Sequence, residues 1–217
     1  MTSGGTDGMG PAAAVTAGGA AAAVLPMDDA TLVRRCQTGD PAAFSLLVGR
    51  YQDKVYNAVY RMVGRHEDAA DLTQDAFLKA FAGLAGFRGG SGFYTWIFRI
   101  AANAAISHRR KHGRVTAADF GGEAEPAGRS LGRGSEPTGP VGSAERSEAG
   151  ERIQWALDRL DPEFRAALVL KDIEGCDYDE IAAILEVPLG TVKSRIHRAR
   201  MEMRRLLEPI LGDGATA

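Results

Sequence analysis

Three observations predict an all-α fold. Apolar residues recur at three- and four-residue spacing in one segment after another, and no stretch alternates with period two. Helix-start signals stand where those segments begin: Asp40-Pro41, Asp161-Pro162 and Asp177 with Glu180 three residues on. Between 113 and 150 the periodicity stops, and Gly, Ala, Pro and Ser fill 22 of the 38 positions, the composition of a flexible linker. The expected architecture is therefore two small helical domains, 28–112 and 151–211, joined by a flexible linker over 113–150. A Gly/Ala-rich leader over 1–27 has no apolar period and is expected to be disordered, with Met27 an alternative start.

The elements follow in order. Asp28 or Asp29 caps a short helix that ends at Gly39, and Asp40-Pro41 opens a longer one closed by Gly64. Along it Phe44, Leu47, Val48, Tyr51, Val55, Val59 and Met62 keep helical spacing and read as core. The next helix, about 66–84, buries Ala69, Thr73, Ala76, Phe77, Ala80 and Leu84. Opposite them Asp71, Gln74, Asp75 and Leu78 share a strip at i, i+3, i+4 and i+7. A leucine on the same solvated strip as two carboxylates suits docking onto a basic partner helix. His66-Glu67 with Asp71 only superficially resembles a zinc-protease motif, because the second ligand position holds Asp. No metal and no cofactor are expected.

Phe87-Arg88-Gly89-Gly90-Ser91-Gly92-Phe93-Tyr94 reads as a glycine-rich loop edged by aromatic rings and arginine. Rings that stack bases and cations that follow phosphates are what single-stranded DNA and a flipped base require. A helix then runs from about Thr95 to Lys111, with Trp96, Ile100 and Ala104 as its inner stripe and Asn103 needing a partner or an outward position. It ends in His108-Arg109-Arg110-Lys111-His112. The plainer alternative makes Phe93 and Trp96 core, and the basic end a complement to the helix dipole.

In the second domain Ile153, Ala156, Leu157 and Leu160 keep helical spacing, and Asp161-Pro162 opens a helix carrying Phe164, Ala167, Leu168 and Val169 to Glu174-Gly175. Asp177 to Leu185, the break at Glu186-Val187-Pro188 and a second helix from Leu189 then form a helix-turn-helix, with Pro188 expected at the first position of the second helix. Val192, Ile196, Ala199 and Met203 form that helix's apolar stripe. From 189 to 205 six Lys/Arg stand against one acid, Glu202, a concentration that suits a phosphate backbone.

Whole-chain properties narrow the field. Over 217 residues the net charge is −2, so any nucleic-acid binding comes from local patches rather than a global excess of base. Cys36 and Cys176 stand far apart with no CxxC, which reads as reduced thiols in a cytoplasmic protein. No apolar run reaches membrane-spanning length, and no Lys or Arg precedes the short apolar stretch at 20–25, against secretion. Clustered carboxylates or histidines of a metal-dependent nuclease are not found, so an enzyme is not expected.

Five blocks in one order carry a specific likeness. They are Asp40-Pro-Ala-Ala-Phe44, Asp68 through Phe77, Phe87-Arg88-Gly89 through Asn103, Tyr178-Asp-Glu180-Ile181-Ala182, and Gly190-Thr191-Val192-Lys193-Ser194-Arg195. The chain resembles bacterial RNA polymerase sigma factors, and most of all the short extracytoplasmic-function (ECF) group of the sigma-70 family, which keeps the second and fourth conserved regions. The resemblance implies that Asp71, Gln74, Asp75 and Leu78 dock on the β′ clamp coiled coil of core RNA polymerase. It implies that Phe87, Arg88, Ser91, Phe93, Tyr94, Trp96, Arg99 and Asn103 melt promoter DNA at the −10 element and capture an extruded base. Arg109, Arg110 and Lys111 would hold nearby backbone, and Thr191, Lys193, Ser194, Arg195, His197 and Arg198 would read the −35 element. Contact with the β flap and inhibition by an anti-sigma factor are further implications. The loop is richer in glycine than in many members, and Pro188 stands where a capping Ser is frequent. The alternative reading is a helix-turn-helix regulator that acts without replacing sigma; it gives no reason for the 66–111 segment. A third is an interaction protein that kept the fold but not promoter opening.

Overall fold

The computed structural model describes residues 27–119 and 148–212, with side chains described through 112 and from 149 to 209. The predicted leader and most of the predicted linker lie outside the described residues. Among the described residues the regular structure is helical throughout: α1 (Asp29–Gln37), α2 (Pro41–Val63), α3 (His66–Gly83) with a short 3₁₀ turn at Leu84–Gly86, α4 (Phe93–Asp119), α5 (Glu148–Leu157), α6 (Pro162–Leu168), α7 (Tyr178–Leu185) and α8 (Leu189–Gly212). The ends of α4 and α5 therefore reach into the stretch expected to be linker.

Local chemistry sets the helix ends. Asp28 caps α1, its carboxylate accepting from the Thr31 amide at 2.8 Å, and hydrogen bonding from the Thr31 side chain first and this amide second holds its pKa below the ordinary value. Asp29 instead pairs with Arg50 and the Tyr51 hydroxyl. Burial is the main reason the Tyr51 phenol is pushed up to about 12. Asp40 caps α2 through the Ala42 amide at 3.0 Å with Pro41 in the first turn, and Gly64 ends it at φ +85°. At α7 the capping box is complete: the Glu180 amide donates to Asp177 at 2.7 Å and the Asp177 amide to Glu180 at 2.9 Å. Glu186 ends α7 in the left-handed region at φ 54°. Pro188 then lies one residue earlier than expected, outside α8, where its carbonyl accepts from the Val192 amide at 3.1 Å. Beyond Leu168 the α6 helix continues into a π turn over Val169–Ile173.

Core packing corrects two of the expected stripes. On α4 the buried residues are Phe93, Ile97, Phe98, Ala101, Ala102 and Ala105, while Trp96, Ile100 and Ala104 are only partly covered. This helix packs on α2 and α3 on one side and on α6 and α7 on the other, so its buried sector is wide and centred one residue away. On α5 Ile153 is exposed and Gln154 buried, while Ala156 and Leu157, and Leu160 in the turn that follows, go inward as expected. The α3 stripe and the core positions of α2 are buried, Val48 only in part.

The two helical groups also touch. One apolar core runs from α1–α4 into α6–α8 without a break. Arg165 is its unexpected member, 0% exposed, donating from Nε to the Arg61 carbonyl and from Nη2 to Asp158, each at 2.6 Å. Burial brings its pKa down to about 10, so it stays charged at neutral pH with Asp158 as counter-ion.

Candidate nucleic-acid and protein interfaces

The strip on α3 comes out as the spacing requires. Asp71, Gln74, Asp75 and Leu78 are all exposed, Leu78 by 60%. Beside them, between α2 and α3, runs an apolar groove of about 740 Å³ lined by Phe44, Val48, Tyr56, Thr73, Phe77, Leu78 and Phe81 among others. Phe81 is 52% exposed, its ring 5.0 Å from that of Phe44. The Thr73 hydroxyl, buried at the groove wall, has no hydrogen-bond partner among the described residues. Phe81 escaped the sequence reading, although it falls three residues after Leu78 and so extends the same strip.

At the glycine-rich loop, Phe87, Arg88, Ser91, Trp96 and Arg99 converge on a polar pocket of about 530 Å³ whose remaining wall is glycine: Gly83, Gly86 and Gly90. Phe87 and Trp96 hold their rings 4.6 Å apart, and a Cβ at Gly83 would come within 3.3 Å of the Trp96 ring. The other expected members of this surface stand elsewhere. Phe93 is 2% exposed, packed 5.7 Å from the Tyr51 ring, so the core alternative describes it and its ring does not face solvent. Tyr94 points to the second domain, its hydroxyl 3.2 Å from the Cys176 sulfur and its ring on Phe98. Burial raises both the Tyr94 phenol and the Cys176 thiol above their ordinary values. Asn103 is exposed, the outward position a polar residue in mid-helix requires.

The basic side chains divide in a way the sequence did not announce. Arg99 donates to the Ala183 carbonyl at 3.0 Å and meets Glu186 at 3.3 Å, while Arg109 donates to the Asp158 carbonyl at 2.8 Å. Arg110 and Arg195 both pair with Glu163, which thus joins the end of one predicted DNA surface to the start of the other. Lys111, Lys193, His197 and Arg198 remain exposed, with Thr191 partly covered and the Ser194 hydroxyl donating to the Thr191 carbonyl at 2.9 Å. Arg200 is held by Asp172 through its Nε at 3.0 Å.

Comparison with known proteins adds a second line of observation. Residues 47–115 match the family model for sigma-70 region 2, and residues 150–203 match that for sigma-70 region 4. The RNA polymerase sigma-H factor of Pseudomonas aeruginosa is 39% identical over 189 residues, which is 84% of this chain and 95% of that protein. The ECF RNA polymerase sigma-E factor of Escherichia coli K12 is 38% identical over 186 residues, 85% of this chain and 97% of that one. Among solved structures, CnrH in complex with the cytosolic domain of CnrY superposes with a TM-score of 0.61 at 25% identity, covering 83% of this chain and 97% of that chain. The sigma factor RpoE bound to the anti-sigma factor NepR from Bartonella quintana gives 0.57 at 29% identity, covering 76% and 96%.

Proposed function

The chain belongs to the extracytoplasmic-function group of the sigma-70 family, and from that premise we propose that it is an alternative sigma factor whose two helical domains divide polymerase docking and promoter reading as follows. It binds core RNA polymerase in the cytoplasm, directs initiation at promoters that carry its −35 and −10 elements, and is not itself a catalyst. The observation that carries the docking half is the exposed strip of Asp71, Gln74, Asp75 and Leu78 on α3, set against an apolar groove. Two carboxylates attract a basic coiled coil such as that of the β′ clamp, and Leu78 with Phe81 gives it apolar area to bury.

In the DNA-reading half, α8 lies in the major groove of the −35 element. Lys193, Ser194, His197 and Arg198 are already exposed for base edges and phosphates. The pocket of Phe87, Arg88, Ser91, Trp96 and Arg99 takes an extruded −10 base, stacking contacts offsetting the few kcal/mol lost by unstacking. Arg99, Arg109 and Arg110 contribute once the contacts between the domains are released on polymerase, and Arg195 once it leaves Glu163 within its own domain. The near-neutral net charge then divides into an acidic surface for protein and a basic surface for DNA. CnrH and RpoE are seen with CnrY and NepR, and a similar anti-sigma partner is proposed for this chain.

Run-off transcription tests the proposal. Purified chain and sigma-free core polymerase are expected to start transcripts from fragments of the host genome that core polymerase alone ignores. Transcripts appearing only when another sigma factor is supplied would instead identify a regulator that works beside it.

A further inference from the structure

We infer that Gln37 is a positioning residue for the pocket that takes the extruded base, an inference that rests on the promoter-melting function proposed above. Gln37 is the last residue of α1, whose Leu32 and Val33 are buried against the core and so fix where the helix ends. Its side-chain amide donates to two backbone carbonyls some fifty residues further along the chain: Leu84 at 3.1 Å and Phe87 at 2.8 Å. These carbonyls bracket the 3₁₀ turn that leads into the glycine-rich loop, and the Phe87 amide closes that turn on the Leu84 carbonyl at 3.1 Å. One planar amide, using both of its N–H groups, thus fixes the first residue of the loop in position and orientation.

The rest of the loop cannot do this for itself. Gly89, Gly90 and Gly92 have no side chains to pack, and Gly89 sits at φ +71°. At the far end the buried Phe93 and the bond from the Trp96 amide to the Gly92 carbonyl at 3.1 Å hold the exit. The entry is held by Gln37 and by the contact of Phe87 with Trp96, which form one wall of the pocket. Loss of the two hydrogen bonds leaves every base-contacting group in the chain but frees the wall they belong to. The expected consequence is lost discrimination between bases at one position rather than lost affinity for the strand.

The test uses holoenzyme made from the full chain and core polymerase. It is bound to a duplex with an artificial bubble whose non-template strand is randomised through the unpaired stretch, and the retained strands are sequenced. Wild type is expected to enrich one base at one position. Gln37→Met, of similar length but without a donor, should reduce that enrichment about tenfold, the size of losing two ordinary hydrogen bonds, with preferences elsewhere and total retention little changed. Gln37→Lys, whose ammonium can donate to both carbonyls, should restore it. Wild-type enrichment by Gln37→Met overturns the inference, and so does a Gln37→Lys variant as flat as Gln37→Met. Retention falling evenly at all positions, together with a lowered melting temperature, also overturns it in favour of a purely structural role. A wild-type holoenzyme that enriches no base at any position defeats the promoter-melting reading itself, and is distinguished by failing before any substitution is made.

Discussion

The carboxylates of α3 and the arginines of α4 and α8 are both charges on helices that the sequence expects to meet a partner, yet they occupy opposite situations. Asp71 and Asp75 stand in solvent beside an open apolar groove, ready for a partner as they are. Arg99, Arg109 and Arg110 face the other helical domain and are already bonded to Ala183, Glu186, Asp158 and Glu163, and Arg195 is held by Glu163 within its own domain. A cationic cluster is free only if no carbonyl or carboxylate of the same molecule reaches it first. Helical spacing reports the cluster and is silent about distant segments.

Four experiments break or sharpen this contrast. Asp71→Lys combined with Asp75→Lys should weaken binding to core polymerase by more than about a hundredfold, since like charges placed against a basic partner cost several kcal/mol. Its urea midpoint should stay close to wild type because both positions are exposed, so pull-down and unfolding together separate docking from folding. Asp158→Ala tests the opposite kind of site. It leaves the buried Arg165 without its counter-ion and should cost about 3 kcal/mol in urea unfolding. Glu163→Ala releases Arg110 and Arg195 together. Duplex affinity of the free chain should rise about threefold or more, with a salt dependence steeper by about one for each cation that reaches a phosphate; unchanged binding would mean the pairs do not limit DNA access.

The smallest effect belongs to a third kind of carboxylate. Burial raises the pKa of Glu174 above its ordinary 4.5, so its ionised form is disfavoured in the folded chain. The sign follows from linkage: a raised carboxylate pKa costs nothing below the unfolded value, and the penalty appears as pH climbs towards and past the folded one. Glu174→Gln should therefore raise the melting temperature by about 1–3 °C at neutral pH, and this gain should vanish below pH 4.5.

Features encoded within a few residues of one another were legible in the sequence. The caps at Asp40, Asp161 and Asp177 lie next to the amides they satisfy, and the α3 strip needs only its own helix to define it. Phe87, Arg88, Ser91, Trp96 and Arg99 lie in one loop and the first two turns of α4, so their meeting at one pocket is close in sequence. Phe93 and Tyr94 of the same candidate set turn instead to the core and to Cys176. The α4 stripe was displaced because Trp96, Ile100 and Ala104 and the set Ile97, Ala101 and Ala105 both satisfy a helical period. Only the presence of neighbours on two sides selects between them. Arg165 and Gln37 were not legible at all. An arginine enters a core only where a carbonyl and a carboxylate await it, here on Arg61 and Asp158, and a glutamine clamps a loop only where two carbonyls present themselves together. Those partners come from tertiary structure.

Gly64 carries a consequence of that kind. Its positive φ marks it as the stop of α2, the role any reading of local sequence assigns to it. A Cβ there would also stand 2.5 Å from the Asp158 carboxylate, where the opposite domain seats itself. One missing methyl group thus serves two masters, a local bend and a remote mooring. Homologues that keep the bend with asparagine would be expected to hold their two halves further apart.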